Sequence, residues 1–521
     1  MRLFEQHLFL TLLALRLGNV YIVQTFTHPD ETWQSLEVAH HAVFGYGFLT
    51  WEWRHALRGY AHPLLFATVY KALALLRLDD TWLLVLCSVM SLSMGTDIVR
   101  PLVNSTETAL TAAAFALWPW KKNSAAVFSD KKQSPKGQQL VRSHANDDTS
   151  TLLARALGVA ALSCIVRPTS GVVWIVACAL LVFRQSQGVS QTVQRALVVV
   201  RTAICIGSIA IPAMLAIDRF GYKRWVFPPY QFYRFNVQQG LATWFGESHV
   251  LYHFYASVPV LFTSMLPFVL HGIYVASTSR RVSIEPAILA AAVLVLFSMV
   301  GHMEYRFVYP LLPIGFMYAG VSLDELAGSL QTVPVASDGK NKARRSKRLS
   351  TRTVLIYLFV TNIPAILYMD LVHQRGVIDV FRHLRRNTSA NGGSVDSLGF
   401  LMPCHSTPFY SHMHRDIPMW FLSCEPPLER SALGSHYWEA NDFEQSPADF
   451  VRDIFSKHPQ ITERTRRERP SHLVLYGCMA ERVGRDLNDL GYAETARFFN
   501  THFSPDSRRR GDIVVFHNQY K

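Results

Sequence analysis

The sequence THPDETWQSLEVAHHAVFGYGFLTWEW, residues 27–53, follows directly on the mostly apolar residues 8–26. It places the acidic pair Asp30 and Glu31 at the mouth of a predicted membrane-spanning helix. A carboxylate at this low-dielectric boundary is costly, and it is more often kept for chemistry than for stability. We therefore predict Asp30 as a catalytic base, with Glu31 as a second, orienting carboxylate. The spacing equally allows both residues simply to cap a juxtamembrane helix.

The composition indicates a membrane protein with many spans. The chain has 521 residues, of which 50% are hydrophobic and only 17% are charged. This charged fraction is low for a soluble protein of this size. Its formal net charge of +13 comes from basic clusters that lie between apolar stretches. This pattern is typical of cytoplasmic loops, so we predict no nucleic-acid partner.

Apolar stretches predict about eleven membrane crossings. One stretch, residues 152–183, would be roughly 50 Å long as a single helix, which exceeds a hydrocarbon core of about 30 Å. The helix must break, and Arg167-Pro168-Thr169 is the natural place because proline removes a donor and restricts its predecessor. The other predicted spans are residues 5–25, 62–78, 82–98, 107–120, 197–217, 256–278, 284–300, 305–321 and 353–371.

Basic clusters predict how these spans are oriented. If residues 121–142, 184–201, 280–281 and 340–348 face the cytoplasm, the first loop and everything after Asp370 face the opposite side. The predicted organisation is an all-α module with many spans over residues 1–371, with a first lumenal loop at 26–61. A smaller lumenal C-terminal region of mixed α/β structure would occupy residues 372–521. The first span has no convincing small-residue cleavage site, so we expect it to act as an anchor.

The first loop predicts a helix with one polar face at the membrane interface. Thr27 can cap this helix, Pro29 suits its first turn, and the acidic pair complements its dipole. The aromatic residues that follow suit a membrane interface or a surface on which sugars stack. In this loop we assign five residues to substrate binding: His28, Gln34, Glu37, Trp51 and Glu52.

Two other loops contain candidate phosphate-binding cations. Arg306 follows His302 and Glu304 where a predicted span begins, and Arg167 lies at the predicted helix break. Either arginine can hold a phosphate through paired, charged hydrogen bonds, so we assign all four residues to substrate binding. The alternatives are snorkelling towards the interface and an ion pair between Arg306 and Glu304.

The tail contains modification and metal candidates. Asn104 and Asn387 begin glycosylation sequons, although Asn104 lies near the predicted membrane. In an oxidising lumen one pair of tail cysteines can form a disulfide, and Cys404 with Cys424 is our first choice. The run CHSTPFYSHMH, residues 404–414, brings one cysteine and three histidines together. Its spacing fits no common zinc finger, and a hydrogen-bonded loop explains it equally well, so we predict no metal.

Five motifs carry a family resemblance: HPDETWQSLEVAHHAVFGYGFLTWEW (28–53), NSTETAL (104–110), RPTS (167–170), HMEYRFVYPLLP (302–313) and LMPCHSTPFYSHMH (401–414). In this order they resemble the membrane-embedded mannosyltransferases of glycosyltransferase family 22, which have the GT-C architecture. The last motif resembles that of the members that act in glycosylphosphatidylinositol (GPI) assembly. Between Asp97 and Asn104 the chain is shorter than the family pattern, which carries another hydrophobic segment there.

The resemblance implies a definite reaction. Such enzymes lie in the endoplasmic reticulum membrane and take mannose from dolichyl-phosphate mannose on the lumenal side. These members add the third mannose of the GPI core in α1,2 linkage, with inversion and without a cofactor. Asp30 would be the base, and Arg167 and Arg306 would neutralise the leaving phosphate in place of a metal. The sequence does not indicate a partner subunit.

Two other functions remain open from the sequence. A sister transferase that acts on the lipid-linked N-glycan precursor, or that adds the fourth mannose, would share the acidic loop but should lack the CHSTPFYSHMH tail. A transporter or lipid scramblase would also use acidic and basic residues along a path. Against the transporter, the sequence has no evident inverted repeat, and its acidic pair lies in a loop.

Overall fold

The protein was analysed as a computed structural model, in which two compact units are evident. The helical unit comprises Gly59–Ala61 and Val103–Pro364, and the loop–tail unit comprises Met1–Arg58, His62–Leu102 and Ala365–Lys521. The first loop thus groups with the tail, across the predicted boundary at residue 371. The structure describes residues 22–80, 84, 101–120, 135–184, 188–279, 282–327, 350–390, 395–432, 436–455 and 467–520, with residues 7, 10, 11, 14 and 18.

The helical unit is built from helices joined by short 3₁₀ and π turns. The predicted break is confirmed: one helix ends at Val166, Arg167 is extended, and Pro168–Ser170 forms a 3₁₀ turn before the next helix. The described α-helices are Val103–Leu117, Pro135–Val166, Gly171–Phe183, Val189–Tyr222, Pro228–Tyr233, Val258–Phe262, Leu266–Ser279, Glu285–Phe297, Leu312–Ala327 and Thr351–Leu371, the last of which continues into the loop–tail unit.

Four helical stretches are long and apolar enough to cross a membrane: Val189–Tyr222, His253–Ser279, Tyr305–Leu326 and Arg352–Arg386. Shorter apolar helices are Ala61–Leu75, Ser150–Val166, Pro168–Phe183 and Glu285–Phe297. The chain is therefore a multi-pass membrane protein. The described residues do not confirm about eleven crossings, and the predicted spans at 5–25 and 82–98 lie largely outside them.

Aromatic and small residues hold the helical unit together. The indole of Trp174 lies 5.3 Å from the ring of Phe115 and 5.8 Å from that of Trp118, between centroids. At Gly272 a Cβ atom would lie 1.8 Å from the carbonyl oxygen of Tyr318. Only glycine allows this close approach of two helices, as is common between membrane helices.

The loop–tail unit contains a five-stranded mixed sheet with the strand order β2-β1-β3-β5-β4. Strand β1 (Leu398–Leu401) pairs in parallel with β2 (Met419–Phe421) and β3 (His472–Tyr476). Strand β5 (Ile513–Asn518) pairs antiparallel with β3 and with β4 (Tyr492–Phe498). The unit's described α-helices are Glu37–Phe44, Trp51–Arg54, Ala61–Leu75, Gly376–Ala390, Tyr410–Met413, Glu439–Gln445, Pro447–Ile454 and Gly477–Asp489.

The first loop and the tail share one hydrophobic core. Phe26 and Trp33 pack in the same buried cluster as Phe400 and Phe409. Residues 31–40 are buried throughout. The tail therefore packs against the first-loop helix. The predicted place of this helix at the membrane interface stays a prediction.

Candidate active site

The two acidic residues of the first loop have different environments. Glu31 is 5% exposed, and its Oε1 accepts hydrogen bonds from Thr27 Oγ1 at 2.7 Å and from the His28 backbone N–H at 2.9 Å. This is a helix-capping arrangement, in which a side chain satisfies the orphan donors of the first turn. The catalytic role predicted for Glu31 stays a prediction, with one oxygen of its carboxylate bonded in this cap. The substrate-binding role predicted for His28 stays a prediction. Its backbone N–H already donates to Glu31 in the helix cap.

Asp30 begins the helix and remains partly exposed. The next turn, Thr32–Leu36, is a π turn, and the α-helix then runs from Glu37 to Phe44. A π turn inserts an extra residue into the helical ladder and is frequent at functional sites. It changes the direction of the Glu37 side chain relative to that of Asp30, so the two carboxylates do not lie as they would on one regular α-helix.

Glu37 anchors the tail to the first loop. Its side chain is 0% exposed, and its Oε1 accepts from the backbone N–H groups of Phe409 and Ser411 at 2.9 and 3.0 Å and from Ser411 Oγ at 2.6 Å. Burial raises the pKa of Glu37 to about 7, while the bonds from Ser411 and Phe409 oppose the rise. The substrate-binding role predicted for Glu37 stays a prediction, with Oε1 of its carboxylate bonded to the tail.

The other residues assigned to sugar binding in this loop form internal contacts. Gln34 Nε2 donates to Glu52 Oε2 at 3.2 Å, and Arg58 Nη2 donates to Glu52 Oε1 at 2.6 Å. Trp51 is 5% exposed, and its predicted role in substrate binding stays a prediction. The substrate-binding roles of Gln34 and Glu52 stay predictions. The hydrogen bonds from Gln34 and Arg58 hold the Glu52 side chain in place.

The tail residues 404–409 lie against the helix that follows Asp30. Trp33 Nε1 donates to the Thr407 carbonyl at 2.9 Å, and the Trp33 ring lies 4.5 Å from the His405 ring, between centroids. Cys404 and Cys424 form a disulfide with their Cα atoms 5.9 Å apart, and this is the pair that the sequence favoured. It ties the segment after β1 to the segment after β2.

The remaining tail histidines have protein partners. His40 Nε2 and His414 Nδ1 are 3.0 Å apart, and His412 Nδ1 lies 3.0 Å from Ser411 Oγ. Burial lowers the pKa of His40 and of His412 to about 3. The only cluster with metal-like spacing among the described residues is Cys404, His405 and Cys424, and the disulfide already uses both sulfurs. The prediction of no metal stays a prediction.

In the helical unit, the HMEYRF segment forms a cluster of charges. Arg306 Nη2 donates to Glu304 Oε1 at 2.7 Å, and Arg306 Nε lies 2.7 Å from Glu304 Oε2 in the same ion pair. His302 Nε2 lies 3.3 Å from Glu304 Oε1. The hydrogen bond to Glu304 raises the pKa of His302. The ion pair considered as the alternative for Arg306 is thus present. With His302 protonated the cluster carries one net positive charge, so it can still attract a phosphate.

Arg167 and Asn104, two other polar residues of the helical unit, also bond to protein groups. Arg167 Nη1 donates to Glu107 Oε2 at 3.1 Å, so any phosphate at Arg167 shares it with a buried carboxylate. The Asn104 side chain is 2% exposed, and its amide donates to the Arg306 carbonyl at 2.9 Å. Glycosylation at Asn104 stays a prediction, with its amide buried and bonded inside the protein. Asn387 lies in the helix Gly376–Ala390, and its glycosylation stays a prediction.

The sequence reasoning missed His405, Ser411 and Glu107 as partners of the predicted site residues. Glu107 directly follows the NST sequon. In the sequence it is a single acidic residue within an apolar span, and it is visible only as part of a motif. For Ser411 no local signal exists, because its partner Glu37 lies 374 residues earlier.

Together these features define a class of protein: a multi-pass membrane enzyme with a carboxylate at a helix start and a cation cluster in a second unit. The profile of the Alg9-like mannosyltransferase family matches residues 7–87 and 81–414. The chain belongs to the Alg9-like mannosyltransferase family.

Similar proteins match nearly the whole chain. A protein of Yarrowia lipolytica named GPI mannosyltransferase 3 is 34% identical, over 96% of this chain and 95% of its own length. The human GPI alpha-1,2-mannosyltransferase 3 is 31% identical, over 99% of this chain and 87% of its own length. The crystal structure of ArnT from Cupriavidus metallidurans in the apo state covers 100% of this chain and 99% of that chain, with a TM-score of 0.48 and 11% identity. That similarity is too slight to carry an argument.

Proposed function

We propose that the chain is an α1,2-mannosyltransferase that adds the third mannose to the GPI precursor. The observation that carries the proposal is the near-full-length similarity to relatives named GPI mannosyltransferase 3. The proposed donor is dolichyl-phosphate mannose, and the proposed acceptor hydroxyl is the 2-hydroxyl of the second mannose. We place the reaction on the lumenal side of the endoplasmic reticulum membrane, where the oxidising environment suits the disulfide between Cys404 and Cys424.

The chemistry is a single displacement at the anomeric carbon. The acceptor oxygen forms the new C–O bond while the bond from the anomeric carbon to the phosphate oxygen breaks, so the β-linked donor gives an α-linked product. The acceptor proton passes to the Asp30 carboxylate, and the electron pair leaves with dolichyl phosphate. This route requires one general base and no covalent enzyme intermediate. Asp30 suits the role because it is partly exposed, whereas Glu31 is used in the helix cap.

The leaving phosphate needs a positive environment. We propose that His302 and Arg306 supply it, because Glu304 neutralises only one of their two charges when His302 is protonated. Arg167 is a weaker candidate, since Glu107 balances its charge. This cluster would take the place of a metal in neutralising dolichyl phosphate. Because the donor carries a long hydrocarbon chain, the proposed substrate also accounts for a transferase embedded in the membrane.

Rescue of cells that lack the third-mannose enzyme tests the proposal. The wild-type chain should restore GPI-anchored proteins at the cell surface and remove the accumulated two-mannose lipid, and Asp30→Asn should do neither at equal expression. Glu31→Gln serves as the matched control and should rescue. Failure of a well-expressed wild-type chain would contradict the function. Rescue by Asp30→Asn would contradict the role of Asp30 alone.

The product identifies which transferase is present. Isolated membranes that carry the chain should convert a two-mannose GPI lipid to a three-mannose lipid whose new mannose is removed by an α1,2-specific mannosidase. Activity only on a lipid-linked N-glycan precursor, or only on a three-mannose GPI lipid, would indicate a sister transferase. The absence of any transfer, with lipid movement across the membrane, would indicate a scramblase.

A further inference from the structure

His405 has a left-handed backbone conformation, which among residues other than glycine histidine adopts more often than most. It follows strand β1 and the disulfide residue Cys404, and its φ is +56°. The left-handed region costs a residue with a Cβ roughly 1 kcal/mol, and glycine or asparagine is the usual occupant. A residue held in such a conformation is a candidate for function, because selection for stability alone favours glycine there.

The ring of His405 is held from two sides by aromatic residues. Its centroid lies 4.5 Å from that of Trp33 and 5.4 Å from that of Phe421. Trp33 is one helical turn after Asp30, and its indole is itself fixed by the hydrogen bond to the Thr407 carbonyl. The imidazole is therefore fixed in direction by packing, beside the helix start that carries the proposed base.

The ring nitrogens of His405 are not used by the protein. Among the residues that the structure describes, neither nitrogen has a hydrogen-bond partner, and the side chain is partly exposed. This distinguishes His405 from the neighbouring His412 and His414, whose rings bond to Ser411 and His40. A packed imidazole with open nitrogens can donate one hydrogen bond and accept another, which suits a sugar hydroxyl.

The protein around His405 keeps its imidazole neutral. Removal of water by the surrounding protein lowers the pKa of His405 to about 4, Asp30 acts against this change, and Arg509 adds to it. At neutral pH the ring is therefore a donor and an acceptor without a charge.

We propose that His405 binds the acceptor sugar, through a hydroxyl next to the one from which Asp30 takes the proton. This inference rests on the proposed function and deepens it by naming a residue that selects the acceptor. His405 neither gains nor loses a proton in the reaction. It orients the second mannose so that the 2-hydroxyl faces the anomeric carbon of the donor. The tail would thereby contribute directly to acceptor recognition.

The test uses His405→Gly, because glycine accepts the left-handed backbone without strain. With a synthetic two-mannose GPI glycolipid as acceptor, kcat/KM should fall by about 3- to 10-fold, the range expected for one neutral hydrogen bond, through a higher acceptor KM. The KM for dolichyl-phosphate mannose should stay unchanged. His405→Asn, which tolerates the backbone and keeps a donor and an acceptor, should retain most of the wild-type value.

Acceptor analogues with a single hydroxyl replaced by hydrogen give the sharper readout. At the position that His405 binds, the analogue should cost the wild-type enzyme about 3- to 10-fold in kcat/KM and should cost His405→Gly nothing further. If His405 had only a structural role, the loss caused by the substitution and the loss caused by the analogue would be independent of each other. If both losses multiply at every position tested, or if the donor KM changes instead, the proposal is overturned.

His414→Gly is the matched control. His414 has the same residue type, a φ of +50°, and a place in the same segment, but its ring bonds to His40. His414→Gly should leave the KM for the acceptor unchanged. Each analogue should lower the kcat/KM of this variant by the same factor as it lowers that of the wild-type enzyme. Transfer by the wild-type enzyme tests the proposed function separately. If the wild type transfers mannose and His405→Gly matches it, only the role of His405 fails.

Discussion

Ser411 donates twice to the same oxygen of Glu37, from its backbone N–H at 3.0 Å and from its hydroxyl at 2.6 Å. Glu37 follows the proposed base by seven residues, and Ser411 lies in the tail segment that also carries His405. The pair therefore fixes the position of the tail relative to the helix that begins at Asp30. Several expectations depend on this arrangement.

The first prediction separates the two acidic residues of the loop. Asp30→Asn should lower kcat for mannose transfer by about 10²- to 10⁴-fold, because general-base assistance contributes on that scale. Glu31→Ala should lower the melting temperature, since loss of a helix cap costs about 0.5–2 kcal/mol. The measurements are initial rates on a two-mannose acceptor and thermal unfolding in detergent. Equal losses of kcat in Asp30→Asn and Glu31→Gln would contradict the division of roles.

The second prediction concerns the anchor between loop and tail. Glu37→Ala should destabilise the loop–tail unit by about 1–3 kcal/mol, because the buried donors of Phe409 and Ser411 lose their acceptor. Faster proteolysis within the tail and a lower melting temperature should follow. Glu494→Ala, at an exposed ion pair with Arg497, is the control and should change little. An unaltered proteolysis rate in Glu37→Ala would show that the anchor is dispensable.

The third prediction is a loss of stability on mild acidification. His40 and His412 have folded pKa values of about 3, against about 6.5 when unfolded. The unfolded chain therefore binds more protons between these values, and stability is lost as the pH falls below 6.5. At pH 5 each histidine should cost about 2 kcal/mol.

Glu37 has the opposite sign and offsets part of this loss. Its folded pKa of about 7 lies above the unfolded value, so between about 4.5 and 7 the folded state binds the extra proton and gains stability as the pH falls. The net expectation from the two histidines and this carboxyl is a loss of about 2 kcal/mol at pH 5. Melting temperatures from pH 7 to pH 5 check it. His412→Gln should flatten the curve, while His249→Gln, at an exposed position, should not.

The fourth prediction concerns the phosphate cluster. Arg306→Lys keeps a charge but loses the planar fork, so we expect the KM for dolichyl-phosphate mannose to rise by about tenfold, the equivalent of 1.4 kcal/mol. The KM for the acceptor should stay the same. Arg54→Lys, in an exposed pair with Glu425, is the control. A selective rise in the acceptor KM would instead place Arg306 on the acceptor side of the reaction.

The fifth prediction concerns the disulfide. Cys404 and Cys424 are 20 residues apart, and closing a loop of that length stabilises a protein by about 3 kcal/mol. Replacing both with serine should lower the melting temperature and raise the acceptor KM, since His405 is next to the bond. Cys478→Ser removes a free thiol and should do neither. An unchanged acceptor KM in the doubly substituted chain would mean that packing alone fixes His405.

The sequence predicted what local composition and local geometry decide. The helix break at Pro168 follows from the ring of one residue, and the apolar spans follow from their own length. The contacts of Glu37 could not be predicted, because its partners Phe409 and Ser411 lie more than 370 residues away in the chain. Asp30 and Glu31 are adjacent and chemically alike. Only the hydrogen bonds at the start of the folded helix distinguish Glu31, which caps the helix, from Asp30, which is partly exposed.

The pairing of Glu37 with Ser411 also has a consequence for biosynthesis. The two residues are 374 positions apart, so a ribosome working at about 5–20 residues per second makes Ser411 roughly 20 to 75 s after Glu37. During that interval the first loop has been made, yet the groups that bury its helix do not exist. Newly made chains should therefore depend on protection of this loop until translation is nearly complete. Mutations that truncate the tail would leave the loop permanently exposed to quality control.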